Sequence, residues 1–256
     1  MSTTSQKIGT TELLFRCAEQ MGLEPSWLSP QGPFAIKTAG GEQYINFARS
    51  PLNSHVGSSL AKDKYLTRLI LERHKLQNIP FARPRTQAQA AAFLKTHGKI
   101  IAKPVHGAGA HDIHIITSVE QLEQLSVSRY ILEQYIAGRE MRYLVLNSSV
   151  IGVHQSVYGT SVQADRALQR ISYPQDTWDA TLVESSIYIA QALGLKFAAV
   201  DYLIDSSGDS HILEVNTSPG LKWFHAPSSG PAVDVARLFF EAMLADNTST
   251  ITTFAV

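Results

Sequence analysis

The chain has 256 residues, 44% of them apolar and 17% charged, which is enough apolar mass for one large domain or two small ones with a proper core. Lys plus Arg and Asp plus Glu each number 22, so the formal net charge is zero. With no local run of Lys and Arg either, the electrostatic footprint of a nucleic-acid binder is missing.

The polar start, residues 1–9, lacks the basic-then-apolar order of a secretory signal. No apolar run reaches the roughly 18 residues that a membrane span requires. A soluble, cytoplasmic protein without membrane or nucleic-acid partners is expected. Residues 10–21 form a predicted helix, with a Thr to cap it and Gly22 where it stops. Cys17 is the only cysteine, which excludes an intrachain disulfide and a cysteine zinc site. It sits in the apolar pattern of this helix and reads as a buried, inert thiol. Residues 34–37 and 43–47 flank Ala39-Gly40-Gly41 as a hairpin. The stretch 49–57 is turn-rich and reads as a loop. A second helix is predicted over 62–77, with Leu66, Leu69, Ile70 and Leu76 on one face, ended by Ile79-Pro80. An Ala-rich helix follows over 86–97 and stops at Gly98.

Strand signals then take over. Residues 100–104 are a short apolar strand running into a glycine-containing loop, 105–110, and 113–116 return as a strand. After a short helix over 119–125, strands are predicted at 130–135, 140–146 and 150–157. A long helix over 176–193, capped by Asp176, carries Trp178, Leu182, Ile189 and Leu193 as its stripe. Residues 197–205 and 210–216 make a hairpin around Ser207-Gly208. The last helix is predicted over 231–244, and the tail from Asp246 reads as loose. The class is α+β with mostly antiparallel strands in the second half; the elements do not alternate as a doubly wound sheet would.

The hairpin over 197–216 carries the most chemistry. With its turn at Ser206-Ser207-Gly208-Asp209, Asp201 falls directly across from Glu214, and Asn216 shares the face of Glu214. Carboxylates opposite one another destabilise a strand pair by about 0.2–1 kcal/mol, and apolar Ala199, Val200, Leu213 and Val215 flank them. A hard cation removes the conflict, because magnesium takes one or two carboxylates plus phosphate oxygens and water. An exposed polar face on an ordinary hairpin is the plainer alternative, since Glu-x-Asn is common; the cross-strand pairing favours the metal.

Lys103 ends a strand beside the loop His106-Gly107-Ala108-Gly109-Ala110. A lysine charge next to glycine-loop N–H groups suits a phosphate, although the Walker-A spacing is absent and a solvated turn lysine is the alternative. Lys64 lies near a helix start, where the macrodipole favours anions. Glu140 and Arg142 share one face of a strand, either as a salt-bridged edge or as a crevice wall. The nine histidines show no metal spacing, and no Ser-His-Asp or Cys-His pattern is present.

Taken in order, five segments over residues 60–244 resemble the ATP-grasp superfamily. They are Lys62-Asp63-Lys64-Tyr65-Leu66-Thr67; Ile101-Ala102-Lys103-Pro104 with its loop; Glu133-Gln134-Tyr135-Ile136-Ala137-Gly138-Arg139-Glu140; Val200-Asp201-Tyr202; and Glu214-Val215-Asn216-Thr217-Ser218-Pro219-Gly220. The last stretch, continued to Gly230, is similar to the ATP-grasp regions of cyanophycin synthetase and bifunctional glutathione synthetases. The resemblance implies two α+β subdomains, 61–136 and 137–246, clasping ATP. A short N-terminal α/β segment, 1–60, would precede them and a tail, 247–256, would follow.

It also implies roles. Lys64, Lys103, Gly107 and Gly109 would hold ATP phosphates, the backbone of Gln134, Tyr135 and Ile136 the adenine, Glu133 the adenine amine and Glu140 the ribose. Asp201, Glu214 and Asn216 would bind two Mg2+ ions, and Arg142 and Arg170 would stabilise the transferred phosphoryl group. Arg49, Asn53, Ser54, His225 and Ser228 would meet substrate. The implied reaction joins a carboxylate to an amine of amino acids or short peptides through an acyl-phosphate, releasing ADP and phosphate. A homodimer is compatible with it. Rival readings are a glutamate-type ligase acting on a protein chain end and a non-catalytic ATP-binding regulator. Two departures stand out: Ala110 and Asp112 replace loop glycines, which bears on loop closure, and only a short segment precedes Lys64.

Overall fold

The computed structural model describes residues 9–49, 51–107, 112–158 and 167–250. Helix α1, Thr10–Gln20, is followed by a three-stranded antiparallel sheet: β1 Ser26–Trp27, β2 Phe34–Thr38 and β3 Gly41–Ile45. The expected hairpin is β2–β3, and β1 adds an edge strand too short to stand out in the sequence.

The helix expected over 62–77 is α3, Lys64–Arg73; a separate helix, α2 His55–Lys62, precedes it, and the break between them falls at Asp63. The Asp63 carboxylate accepts from Leu66 N–H at 2.9 Å, so it caps α3 in place of extending α2. Ser54 caps α2 by accepting from Gly57 N–H, so the loop expected over 49–57 already contains the first turn of a helix. The buried face of α3 is Thr67, Arg68 and Leu71, whereas Leu66 and Leu69 are exposed. The apolar stripe misled because Arg68 is buried with its charge fully paired.

A four-stranded antiparallel sheet follows in the order β4-β7-β5-β6. Its strands are β4 Phe81–Ala82, β5 Ile100–Pro104, β6 His114–Ile116 and β7 Tyr130–Gln134. Helices α4, Gln87–His97, and α5, Val119–Glu123, cover it. Ala90, Leu94, Ile100, Leu122 and Leu132 form that core.

The large sheet is antiparallel, in the order β10-β9-β8-β11-β12. Its strands are β8 Arg139–Leu146, β9 Ser149–Tyr158, β10 Ala167–Ser172, β11 Phe197–Ile204 and β12 Ser210–Asn216. Helix α6, Ala180–Ala192, is capped by Asp179, which accepts from Thr181 and Leu182 N–H. Asp176, the expected cap, lies in the 3-10 turn Gln175–Thr177. The short α7, Lys222–His225, and α8, Val235–Thr250, complete the chain. Helix α8 therefore starts later than expected and continues into the expected loose tail; residues 251–256 lie outside the described residues.

The two faces of the large sheet have different fates. Met141, Tyr143, Ala198, Val200, Ile212 and Val215 pack in one core with residues of α2, α3 and α6. On the other face, Leu144, Leu146, Phe197 and Ala199 share a core with α1, β2, β3 and α8. Further along that second face the period-2 alternation brings up Glu140, Arg142 and Asp201 in place of Leu and Phe. The sheet thus passes from core to site without changing direction.

Candidate active site

One row across the large sheet builds the floor of the site. Ser172 pairs with His154, His154 with Arg142, Arg142 with Asp201, and Asp201 with Glu214. The carboxylates stand opposite one another, as the hairpin register predicts. A bulge after Asp201 shifts the later pairs. Arg142 grips Asp201 with two parallel hydrogen bonds, Nε–Oδ1 at 2.5 Å and Nη2–Oδ2 at 2.6 Å, the bidentate geometry that guanidinium favours. Asn216 Nδ2 donates to Asp201 Oδ2 at 2.9 Å and to Glu214 Oε1 at 2.7 Å.

The two carboxylates titrate as a pair. Burial, with Glu214 and Glu140 nearby, lifts Asp201 to about 7 despite Arg142. Burial also opposes charge on Glu214, but the Asn216 hydrogen bond and the fields of Arg142 and Lys103 outweigh it and hold Glu214 below its ordinary value. Such a pair with hard oxygen donors fits a magnesium ion, which relieves the repulsion. In this arrangement Asn216 turns its NH2 group to both carboxylates, so joining them as an oxygen ligand requires its amide to be reversed.

A cleft of about 190 Å3 lies beside this floor, lined among others by Arg49, Lys64, Arg68, Gly107, Glu133 and Glu214. Lys64 is the first residue of α3, and its N–H donates to Val105 O while its Nζ donates to Gly107 O at 2.8 Å. Burial lowers its ammonium pKa; Glu214 opposes the shift and Lys103 adds to it. Helix start, lysine and glycine loop therefore converge on one edge of the cleft. Gly109 and Ala110, named with this loop, lie outside the described residues. Asp112 has φ +59° and accepts from Tyr130 OH at 2.7 Å.

The structure ties Lys103 and Glu133 to each other. Lys103 Nζ lies 2.7 Å from Glu133 Oε2, and Arg68 Nε donates to Glu133 Oε1 at 2.7 Å, all three side chains being buried. Glu133 thus stands between two cations where the resemblance placed it at an adenine amine, and its carboxylate is the counter-charge of both Arg68 and Lys103. Gln134 and Tyr135 give their N–H groups to Pro80 O and Lys99 O, and Ile136 follows at the junction between the two sheets. Glu140 accepts from Ser156 Oγ at 3.0 Å and from Tyr158 OH.

Two expected substrate residues are instead structural. Asn53 accepts from Lys196 N–H and Phe197 N–H and donates to Phe197 O at 2.7 Å, pinning its loop to β11. Ser54 is the α2 cap described above. Arg49 does line the cleft. Ser228 Oγ accepts from Arg170 N–H, and Ser228 N–H donates to Arg170 O, so it is bound to β10. His225 Nδ1 lies 3.7 Å from Asp234. Arg170, half-buried, sits with its guanidinium 5.7 Å from the Trp223 ring. Sequence reasoning missed Arg68 and His154. His154 is a polar residue in an otherwise apolar strand pattern, and that interruption was the available signal; Arg68 carried none.

A family model described as RimK-like ATP-grasp domain matches residues 61–238. The chain is similar to the "Probable alpha-L-glutamate ligase" of Rhodopirellula baltica, 25% identical over 210 residues that cover 75% of this chain and 49% of that protein. It is similar to the "D-alanine--D-alanine ligase" of Pseudoalteromonas translucida, also 25% identical, over 71% of this chain and 65% of that one. It thus spans half to two-thirds of the length of these curated relatives. In fold it is similar to the crystal structure of a bifunctional glutathione synthetase from Pasteurella multocida. The TM-score there is 0.66 at 13% identity, over 93% of this chain and 44% of that chain.

Proposed function

The chain belongs to the RimK-like ATP-grasp family and has the α+β ATP-grasp fold, and from that premise we propose that it is an ATP-dependent carboxylate–amine ligase working through an acyl-phosphate. The observation that carries this reading is the convergence of Asp201, Glu214 and Asn216 with Arg142 on one sheet face, beside the cleft that Lys64 and Gly107 share. Cations and hard oxygen donors in that order suit phosphoryl transfer to a carboxylate, where positioning and charge neutralisation supply most of the catalysis. No nucleophilic side chain is required.

Each group has a task in that reaction. Asp201 and Glu214, with Asn216 reversed, would hold Mg2+, which supplies Lewis-acid neutralisation of phosphate charge. Lys64 would meet phosphate oxygens with its side-chain ammonium, since the N–H groups of Lys64 and Leu66 are already given to Val105 O and the Asp63 carboxylate. Arg142 keeps Asp201 oriented and would add its charge to the neutralisation of the transferred phosphoryl group. Lys103 is positioned by Glu133. The acid and amine are amino acids or short peptides in this reading, supported by the names of the glutamate and D-alanine ligases among its relatives.

Hydroxylamine traps an acyl-phosphate without knowledge of the natural amine. With magnesium-ATP, hydroxylamine and pooled amino acids and dipeptides, hydroxamate and ADP are expected to form together. Glu214→Gln is expected to abolish both while leaving the melting temperature near that of the wild type. Hydroxamate that persists in Glu214→Gln, or ATP binding without any hydroxamate from the pools, would overturn the reading.

A further inference from the structure

His154 has no task in the mechanism above, yet it occupies the centre of the site's sheet row. It is 1% exposed, and among the described residues neither ring nitrogen has a hydrogen-bond partner. Its direct neighbours on the adjacent strands are Arg142 and Ser172. Arg170 pairs with Ser156, two residues along the same face, which makes it a diagonal neighbour at roughly 7–8 Å. Arg170 Nε is buried and, among the described residues, has no hydrogen-bond partner either.

Burial and the fields of Arg142 and Arg170 push the imidazole down to about 3, so it is neutral at physiological pH, with one N–H and one lone pair. The imidazole lone pair could accept an N–H from a guanidinium, but among the described residues no such bond is formed. Guanidinium groups only donate, so the imidazole N–H finds no acceptor in either arginine. Arg142 already gives Nε and Nη2 to Asp201. Among the described residues, two donors, His154 N–H and Arg170 Nε–H, are left on one face of the site without an acceptor.

Packing does not account for the imidazole. Its ring lies 4.5 Å from that of Phe224, and a leucine of similar volume would fill the slot without stranding a polar group, which costs stability. Phe224 and the half-buried Trp223 both belong to α7 and cover this pair. An anionic oxygen brought against this pair would meet donors already shielded from water, where hydrogen bonds to charge are strong.

We propose that His154 is a substrate-positioning residue which, together with Arg170, binds an anionic oxygen of the acid substrate's carboxylate or of the transferred phosphoryl group. The inference rests on the ligase reading and adds to it a neutral donor between two permanent cations. A third cation would hold a product anion too tightly, whereas a neutral N–H orients it and lets it leave.

The test compares the intact wild-type protein with His154→Leu and His154→Gln. Each is titrated with MgADP, then, with MgADP bound, with inorganic phosphate, L-glutamate and D-alanine. Melting temperatures are recorded in parallel. His154→Leu is expected to melt at or above the wild-type temperature, because a stranded polar group has gone. It should keep MgADP affinity and lose about tenfold or more in anion affinity, the scale of one hydrogen bond to a charged group. His154→Gln, which restores a neutral donor, should recover most of that loss. A loss confined to phosphate assigns the phosphoryl oxygen; a loss confined to an amino acid assigns the carboxylate. Unchanged anion affinities with intact MgADP binding overturn this inference alone, and so does a lower melting temperature with unchanged affinities. A wild type that fails to bind MgADP overturns the ligase reading and this inference with it.

Discussion

At the scale of single residues, the buried trio Arg68–Glu133–Lys103 shows how a charged group is tolerated inside the fold. Glu133 is 1% exposed, a position that costs several kcal/mol for an unpaired ion. Burial pushes its carboxyl up, but the charges and hydrogen bonds of Arg68 and Lys103 prevail and bring it down to about 2. A carboxyl depressed on folding contributes stability that is present above its unfolded value of about 4.3 and is lost as pH falls through the folded value. Thermal melts from pH 6 downward should therefore show wild-type stability falling mainly between about pH 4.3 and 2. Glu133→Gln strands two buried cations around a neutral amide and should cost about 3–5 kcal/mol at pH 7, with a flatter acid limb. A loss under about 1 kcal/mol would mean that the trio is solvated in solution. The trio was not legible in the sequence. Glu133 was readable as a strand-end carboxylate, but nothing in the pattern tied it to Arg68, sixty-five positions earlier, or marked Arg68 as anything but an exposed helix residue.

Between elements, what the sequence disclosed follows from periodicity. Strand alternation has a strict period of two, so the β11–β12 hairpin and its turn were enough to set Asp201 against Glu214. Helix boundaries depend instead on which polar side chain folds back on the backbone. Lys62-Asp63-Lys64 could run on as helix or break it, and only the Asp63 cap decides. Strand β10 carries a weak alternating pattern, so it was missed. Asn53 illustrates the same limit, for its three hydrogen bonds reach backbone groups of Lys196 and Phe197 that are remote in sequence. They fix the entry to α2, which packs so closely on the end of α6 that a Cβ on Gly57 would lie 2.1 Å from Leu193 O. Asn53→Ala should lower stability by about 1–3 kcal/mol with KM values for ATP and acid within twofold of wild type. A selective rise in the acid KM at unchanged stability would return Asn53 to the substrate site.

Across the whole molecule, the boundary of the family match is not a boundary of folding. The match runs over residues 61–238, and that region contains both larger sheets, the carboxylate pair and all of the cleft lining except Arg49. Arg68 joins the two sheets inside it, bonding Glu133 of β7 and the carbonyls of Ile212 and Leu213 on β12 or its bulge. Yet one face of the large sheet is only partly covered within those residues, by Leu221, Phe224, Val235 and Ala236. Leu144, Leu146, Phe197 and Phe224 share their core with Leu14, Phe34, Ile36 and Ile45 from the N-terminal segment and with Met243 of α8. Phe239 meets Phe197 with ring centroids 5.2 Å apart. Losing Leu14, Phe34, Ile36 and Ile45 forfeits about 1.5–3 kcal/mol for each buried side chain, a sum comparable to the 5–15 kcal/mol by which a domain is stable at all. The polar half of the same sheet face is the site floor, so its geometry depends on that cover. Removal of residues 1–52 is therefore expected to give a protein that keeps helical and strand signals in the far ultraviolet. It should lose near-ultraviolet aromatic ellipticity, bind a hydrophobic dye and fail to bind MgADP. A truncated protein that melts cooperatively at the wild-type temperature and binds MgADP would show the opposite: the N-terminal helix and hairpin would then be an appendage, and the large sheet would hold its site without them.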